Sequence, residues 1–379
     1  MTLKKTLPDY LCDEEGKLID LPAPYPVPDQ ATYDRVREEA LAYSEKRRIN
    51  YEKYLESSRR DVKPDYMPVR LDIENVSRCN FSCSMCIVDT WEKRQRARDM
   101  TLKEFKQLID EQYGLVEIKI QGMGEPTMQR DIFFEMIRYA RSKRIWVRII
   151  TNASLLHLRD NYKKLIDSGV NEIQISIDGA TKEVFEGIRK GAVFERVVEN
   201  CKLINGYATE KNIIRTKMWT VVQKNNQHQV KDIIDLGKSM GFKQMVFSLN
   251  MIDFGMHEMS VRNNAQSIEK TFSNREALKH MEYAKSIGVD ARFWRQTDKY
   301  SIDRPETLCP WPFERAYISS DMRIVPCCIL GNPDAADLGE AAVFNENWLG
   351  DHWQKFRQAH LEGNPPSVCV NCYQAVRKS

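Results

Sequence analysis

The chain has 379 residues, of which 42% are hydrophobic and 29% charged, so it can form one large domain and a smaller one. Its net charge of +3 lacks the concentrated basic excess of a nucleic-acid-binding protein. No apolar run reaches the roughly 18 residues that a membrane helix needs. The first residues lack the apolar core of a secretion signal. Ten cysteines without such a signal indicate the reducing cytoplasm.

The N-terminal segment, residues 1–68, divides into two parts. Residues 1–30 are rich in proline and polar residues and predict an extended arm. Residues 31–60 are strongly charged, with apolar residues at helical spacing, and predict one surface helix that clamps the main domain.

The central part of the chain alternates strand patterns with helical patterns. Short runs rich in valine and isoleucine, bounded by turn residues, predict strands at 69–76, 116–122, 146–151, 171–178, 216–222 and 243–249. Strand–helix alternation predicts an α/β fold with a parallel sheet. We therefore expect a partial (β/α)6 TIM-like barrel over residues 69–300, with its chemistry at the C-terminal ends of the strands.

Three cysteines follow the first predicted strand, where residues 79–86 read CNFSCSMC. A tetrahedral zinc site would need a fourth ligand nearby, and the nearest histidine is His157. Three thiolates on one loop suit an iron–sulfur cluster with an open coordination site. The competing interpretation is that these cysteines are small hydrophobic residues of a core.

This CxxxCxxC motif, followed by QGMGEP, resembles the radical S-adenosylmethionine (radical SAM) enzymes. The resemblance implies that Cys79, Cys83 and Cys86 bind a [4Fe–4S] cluster and that S-adenosylmethionine (AdoMet) chelates the open iron. Reductive cleavage of AdoMet would yield a 5′-deoxyadenosyl radical, which abstracts a substrate hydrogen. Met85 stands where the family usually has an aromatic residue beside the adenine.

Further AdoMet contacts are implied by the same resemblance. The glycines of QGMGEP, Gly122 and Gly124, would allow close backbone approach, and Glu125 would accept from the methionine ammonium. The strand ends ITNAS and ISIDGA suggest Asn152 and Ser176 as contacts to the ribose or carboxylate of AdoMet, and the segment GIRKG suggests Arg189 as a partner of its carboxylate. A capping role or a solvated side chain is the alternative for each of these three. Asp178 is predicted to be a turn residue.

A second group of cysteines lies in residues 301–379, predicted to be a small auxiliary module. A zinc knuckle is one interpretation of its CxxC. The sequence AYISSDMRIVPC predicts a hairpin, and the region resembles the SPASM and Twitch modules of radical SAM enzymes. That resemblance implies one auxiliary [4Fe–4S] cluster on Cys309, Cys327, Cys369 and Cys372. Adjacent cysteines on a strand face opposite sides, so only one of Cys327 and Cys328 is expected to bind the cluster. The family pattern ends its hairpin on the first, which implies Cys327 as the ligand and leaves Cys328 as a spare thiol. The remaining two, Cys12 and Cys201, are predicted to be structural.

The resemblance leaves the reaction open. The favoured hypothesis is a dehydrogenase that oxidises a sugar- or aminocyclitol-like alcohol and passes an electron to the auxiliary cluster. An epimerase would instead return a hydrogen atom from a thiol, for which Cys328 is the candidate. A peptide-modifying maturase is a further alternative, and a zinc or iron–sulfur binding module is the non-enzymatic one. The expected partners are a small-molecule substrate and a flavodoxin- or ferredoxin-type electron donor, with no nucleic acid or membrane.

The basic run EKRQRAR at residues 92–98 has two interpretations. It could dock an acidic electron donor, because long-range charge steers such encounters. A solvated loop face is the alternative, and it is favoured because the whole chain is rich in charge.

Overall fold

The computed structural model describes residues 8–57, 59, 61–295 and 299–373. A nine-stranded sheet runs through this part of the chain, and all but its last strand are parallel. The strands are β1 (Arg70–Ile73), β2 (Glu117–Ile120), β3 (Trp146–Thr151), β4 (Glu172–Ser176), β5 (Thr216–Val221), β6 (Gln244–Ser248), β7 (Asp290–Trp294), β8 (Arg315–Ile318) and β9 (Ile324–Val325).

Helices connect most of the strands and cover the outer face of the sheet. Their apolar residues pack on the outward-facing isoleucines and valines of the strands in one large core. The helices are α1 (Gln30–Ala42), α2 (Glu45–Glu56), α3 (Leu102–Glu111), α4 (Asp131–Ser142), α5 (Asn161–Asp167), α6 (Lys182–Ile188), α7 (Phe194–Glu210), α8 (Val230–Ser239), α9 (His257–Gln266), α10 (Asn274–Ser286), α11 (Trp311–Glu314), α12 (Phe344–Leu349) and α13 (Asp351–Leu361).

The strand order is β9-β8-β1-β2-β3-β4-β5-β6-β7, which is the neighbour order of a partial barrel. The predicted fold class, an α/β barrel of parallel strands, is confirmed. The sequence predicted six parallel strands, and the structure adds β7 and β8. In β7, buried residues alternate with partly exposed ones such as Asp290 and Arg292. This edge strand therefore lacks the continuous apolar run by which the other strands were predicted.

The predicted hairpin is present, with β8 and β9 antiparallel around residues 319–323. Its first strand also pairs in parallel with β1, so the hairpin is part of the barrel sheet. The domain boundary at residue 301 stays a prediction, and the last residues of the expected module, 374–379, lie outside the described residues.

The N-terminal segment differs from the single helix that the sequence predicted over 31–60. Two helices form, because Ser44 has extended backbone and caps α2 by accepting from the backbone N–H of Arg47. The arm before them lies at the N-terminal ends of the strands. The backbone N–H of Val27 donates to Glu172 at 3.1 Å, and the ammonium of Lys217 donates to the carbonyl of Tyr25 at 2.6 Å. Residues 1–7, 58 and 60 lie outside the described part.

No helix of the described residues is long and apolar enough to cross a membrane.

Candidate active site in the barrel

A cavity of about 630 Å³ occupies the inside of the barrel. At the C-terminal ends of the strands it is lined by the three cysteines of residues 79–86, and at the other end by Pro24, Tyr25 and Pro26 of the arm. All seven residues predicted to contact AdoMet line this cavity: Met85, Gly122, Gly124, Glu125, Asn152, Ser176 and Arg189.

The cysteine loop is fixed by a short antiparallel ribbon in which Ser82–Cys83 pairs with Arg189–Lys190. Cys83 lies directly opposite Arg189, whose guanidinium Nη1 is 3.9 Å from the Cys83 sulfur. Burial raises the pKa of the Cys86 thiol to about 12 and also raises the pKa of Cys79 and Cys83. Thiols in such a place release their protons when a metal replaces them.

Arg189 forms a buried ion pair with Asp178, with 2.6 Å between Arg189 Nη2 and Asp178 Oδ2. Burial alone would lower the pKa of Arg189, but the charges of Asp178 and Cys83 outweigh it and raise that pKa. Asp178 is fully buried, and burial raises its pKa against the opposing effect of Arg189. The prediction that Asp178 is a turn residue is wrong, because it holds the arginine beside the cysteine loop.

The two glycines of the motif are required by close packing within the protein. A Cβ atom on Gly124 would lie 2.3 Å from the carbonyl oxygen of Val76 and 2.5 Å from that of Arg78, just before the cysteine loop. A Cβ atom on Gly122 would lie 2.4 Å from the side chain of Glu74. The glycines thus bring the end of β2 against the chain that leads to Cys79.

Glu125 is almost fully buried, and protein groups occupy its carboxylate. It accepts from the Thr127 N–H at 3.2 Å, the Thr127 hydroxyl at 2.6 Å, the Thr151 hydroxyl at 2.7 Å and the Asn152 N–H at 2.7 Å. This carboxylate therefore joins the ends of β2 and β3. Its predicted contact with the methionine ammonium of AdoMet stays a prediction.

Two of the other predicted contacts differ in their freedom to bind a ligand. The Asn152 amide donates to Asn80 Oδ1 at 3.0 Å and lies 3.9 Å from the Cys79 sulfur, so it supports the cysteine loop. The hydroxyl of Ser176, at the end of β4, makes no hydrogen bond to any described residue. Ser176 is therefore the residue of this pair that is free to contact a ribose.

The C-terminal cysteines form a second group. Cys327 is close enough to Cys369 and Cys309 for their charges to raise its pKa, after burial as the main cause, and Cys372 acts on Cys309 in the same way. The backbone N–H of Cys309 donates to the Tyr373 hydroxyl at 3.0 Å. This hydroxyl lies 2.8 Å from Nδ1 of the buried His360.

The adjacent cysteines, Cys327 and Cys328, face different environments. Cys328 lines the barrel cavity, whereas Cys327 packs with the second cysteine group. Burial raises the pKa of the Cys328 thiol to about 12, and its charged neighbours are Asp72, Lys119 and Arg315. The remaining cysteines, Cys12 and Cys201, are buried away from both groups.

The inner wall of the barrel is charged, which the sequence analysis missed. Each of the first five strands carries polar side chains within an otherwise apolar run, and Lys119, Arg148, Glu172, Gln174 and Lys217 line the cavity. Ion pairs join Arg148 to Glu172 at 3.2 Å and Lys217 to Glu172 at 3.2 Å. The charged or amide side chains within these five otherwise apolar strands were the available signal.

The basic run at 92–98 is partly structural. Arg96 is buried and makes two hydrogen bonds to Asp321, at 2.9 and 2.6 Å, while its Nη2 lies 3.6 Å from Glu74. It therefore ties the segment after the cysteine loop to the turn between β8 and β9. Arg98 is exposed and pairs with Glu104 at 2.6 Å.

Comparison with known proteins bears on the class of the domain that carries this site. Residues 76–237 match the family model of the radical SAM superfamily, and they include the cysteine loop, the glycine motif and Arg189. The chain therefore carries a radical SAM domain, as the sequence predicted. The predicted cofactors, AdoMet and [4Fe–4S] clusters, are those of this superfamily.

Individual relatives are distant. The chain is 22% identical to a PqqA peptide cyclase of Bradyrhizobium diazoefficiens, over 84% of this chain and 82% of that protein. It is 30% identical to a GTP 3',8-cyclase of Aliarcobacter butzleri, over 48% of this chain and about half, 54%, of that protein. Its fold is similar to SuiB of Streptococcus suis bound to S-adenosylmethionine, with a TM-score of 0.59 and 15% identity, covering 82% of this chain and 77% of that one.

The residues present fit a cluster with AdoMet by their chemistry. Three cavity-lining thiols lie beside a buried guanidinium, which balances the negative charge that bound thiolates bring. Among the described residues, no three histidine, cysteine or acidic side chains converge on a single metal ion. Thiolates of a [4Fe–4S] cube bind different irons, so they need not converge in this way.

Proposed function

We propose that this chain is a radical SAM oxidoreductase that oxidises a small sugar- or aminocyclitol-like alcohol to a ketone. The observation that carries the proposal is the arrangement of Cys327 and Cys328. Cys327 faces the cysteine group proposed to hold an auxiliary cluster, and Cys328 lines the cavity. An electron acceptor on Cys309, Cys327, Cys369 and Cys372 would therefore lie next to the substrate.

When bound, AdoMet and its cluster supply a 5′-deoxyadenosyl radical that takes one hydrogen atom from the carbinol carbon. Completion of the ketone then releases one proton from the hydroxyl group and one electron from the carbon. The proton would pass to a base or to water, and a cluster held by Cys309, Cys327, Cys369 and Cys372 would take up the electron. A flavodoxin- or ferredoxin-type protein supplies the electron for each cleavage, in the cytoplasm, where thiols stay reduced.

The cavity supports a small, polar substrate. Its volume of about 630 Å³ has to accommodate AdoMet and the cluster as well as the substrate, which favours a small substrate. Three tryptophans line it among the charged groups, Trp219, Trp294 and Trp311. Aromatic faces beside charged and hydrogen-bonding groups suit the alternating apolar and hydroxylated surfaces of sugar-like rings.

A peptide substrate is less well supported. The relative named as a peptide cyclase favours it, but at 22% identity. The described N-terminal residues form the arm and two helices docked on the barrel. Their contacts include Tyr33 Oη with Glu117 at 2.7 Å and Arg47 with the carbonyl of Lys143 at 2.8 Å. The described part of this segment therefore packs on the barrel and does not form a separate peptide-binding domain.

An epimerase is the second candidate, and the position of Cys328 favours it. A thiol that lines the cavity could return a hydrogen atom to the carbon radical from the face opposite to the abstraction. The two reactions begin identically, so they differ only in the fate of the substrate radical.

The deciding experiment screens sugars and aminocyclitols with the anaerobically reconstituted enzyme, AdoMet and a reductant. We expect a product with two hydrogen atoms fewer than the substrate, formed equally by wild type and Cys328→Ala. Cys201→Ala is the matched control, since that thiol is buried in α7 away from the cavity. Incorporation of one solvent deuterium without oxidation, lost only in Cys328→Ala, would establish the epimerase instead.

A further inference from the structure

Ion pairs lie inside the barrel on β1 to β5, α11 and β8, beside two charged residues, Asp72 and Lys119, that form no ion pair with any described residue. Carboxylates are shared between cations: Glu117 lies 3.4 Å from both Arg70 and Arg148, and Glu314 pairs with Arg70 at 3.5 Å and with Arg315. We call these groups the lumen network. Its described members are Arg70, Asp72, Glu117, Lys119, Arg148, Glu172, Lys217, Glu314 and Arg315.

The lumen network holds five cations and four carboxylates among these members, so it carries one uncompensated positive charge. Lys119 is the cation without a direct partner. Its ammonium donates no hydrogen bond and forms no salt bridge with any described residue, although it lines the cavity. Its closest opposite charge is Asp72, whose carboxylate already accepts from the amide of Gln121.

A second polar group without a partner lines the same cavity, and it shares Asp72 and Cys328 with Lys119 as charged neighbours. The hydroxyl of Tyr317 is fully buried, lines the cavity and has no hydrogen-bond partner among the described residues. Both residues are in register with Asp72, Tyr317 from β8 on one side and Lys119 from β2 on the other. Residues in register on parallel strands point to the same face of the sheet.

Leaving such groups unpaired is costly. The buried Tyr317 hydroxyl loses hydration that nothing in the protein replaces, and the partly buried Lys119 ammonium faces the cavity without a counterion. Burial accordingly lowers the pKa of Lys119. A negatively charged group that accepts from both would restore both interactions and would balance the surplus charge of the lumen network.

We propose that Lys119 and Tyr317 form a subsite for an anionic group of the substrate, a carboxylate or a phosphate. The inference rests on the proposed function in taking the cavity as the substrate site. Cys328 lines the same wall, with Lys119 and Asp72 as its charged neighbours. The anionic end of the substrate would therefore bind next to this thiol and to the auxiliary cysteines behind it.

The test is an anion soak of crystals of the reconstituted enzyme in sodium bromide. We expect an anomalous bromide peak within hydrogen-bond distance of both Lys119 Nζ and Tyr317 Oη. Separate soaks that add acetate or inorganic phosphate distinguish the two chemistries, because the anion that fits the subsite lowers the bromide occupancy more. Equal competition by both would leave the anionic class intact and show that charge alone is selected.

Variants make the test specific. Lys119→Met should remove the peak, and Lys119→Arg should keep it, whereas Tyr317→Phe should lower its occupancy severalfold. Lys231→Met is the matched control, because Lys231 is an exposed lysine of α8 that pairs with Asp235. Iron content and thermal melting of each variant check that it is folded and loaded.

Absence of bromide from this wall in the wild type, or a peak that persists in Lys119→Met, would overturn the subsite. These results do not depend on turnover. An enzyme that binds bromide here and oxidises no alcohol would retain the anion subsite and lose the proposed function. An enzyme that oxidises an uncharged alcohol and binds no bromide here would retain the proposed function and lose the anion subsite.

Discussion

Glu125 illustrates why a motif residue does not reveal its partner from sequence alone. Its acidity and position after β2 are readable from GMGEP, and these suggested a contact to a cationic ligand. The residues that occupy its carboxylate, Thr127, Thr151 and Asn152, follow from how β2 and β3 end side by side. That juxtaposition depends on the fold.

Glu125→Ala should weaken AdoMet binding at least tenfold and lower the free energy of unfolding by at least about 2 kcal/mol, because several buried donors lose their acceptor. Calorimetric titration with AdoMet and denaturant unfolding measure the two effects. Glu125→Gln, which keeps one acceptor oxygen, should be intermediate. An unchanged AdoMet affinity in folded Glu125→Ala would show that the motif has been assigned the wrong role.

Arg189→Met should destabilise the protein by about 3–5 kcal/mol, because it leaves Asp178 as a buried charge without a partner. The double variant Arg189→Met/Asp178→Asn should recover much of that loss, since no charge remains. Denaturant unfolding of the three proteins measures this coupling. If the double variant is as unstable as the single one, the ion pair is not what holds Arg189 beside the cysteine loop.

At the scale of elements, sequence periodicity predicted most strands and helices. It failed for an edge strand and for a strand pairing between residues far apart in the sequence. β7 was missed because buried and partly exposed residues alternate along this edge strand, so that it lacks a continuous apolar run. β8 was predicted as a hairpin strand, but its pairing with β1 joins residues far apart in sequence. No local pattern encodes that pairing, and it is what brings Tyr317 and Cys328 to the cavity.

Arg96 should be critical for joining the cysteine-loop segment to the β8–β9 turn. Arg96→Met should cost about 3–5 kcal/mol, because the buried Glu74 loses its counterion. Arg98→Met is the matched control and should cost less than about 1 kcal/mol, since its pair with Glu104 is exposed. Denaturant unfolding measures both, and equal costs would contradict the role assigned to Arg96.

The buried His360 of α13 should make stability depend on pH. Burial lowers the pKa of His360 to about 4, so the folded protein keeps this ring neutral while the unfolded chain takes up a proton near its ordinary pKa of 6.5. Stability from this group is complete above pH 6.5 and is lost as the pH falls towards 4. Between pH 6.5 and 5 the loss should be about 1.5 kcal/mol.

Denaturant unfolding of the reconstituted enzyme at several pH values tests this dependence. His360→Phe, which keeps an aromatic ring, should show a shallower loss of stability over the same range. Parallel curves for the two proteins would mean that other groups cause the pH dependence.

At the scale of the whole molecule, the cysteine motifs and the barrel class were predictable because they depend on spacing and periodicity. The charged interior was not recognised, although residues such as Lys119 and Arg148 stood within apolar strands. Their importance comes from closure of the barrel, which places polar side chains of five strands around one cavity. The arm contributes as well, because it packs against the end of the cavity opposite the cysteine loop. Both features arise only in three dimensions.

The central claim is that the loop at residues 79–86 holds the cluster that cleaves AdoMet, separately from the C-terminal cysteines. The most direct test measures iron and 5′-deoxyadenosine in the reconstituted wild type and in Cys79→Ala/Cys83→Ala/Cys86→Ala. We expect about eight irons per chain in the wild type, about four in the variant, and no 5′-deoxyadenosine from the variant. Continued formation of 5′-deoxyadenosine by the variant would contradict the account.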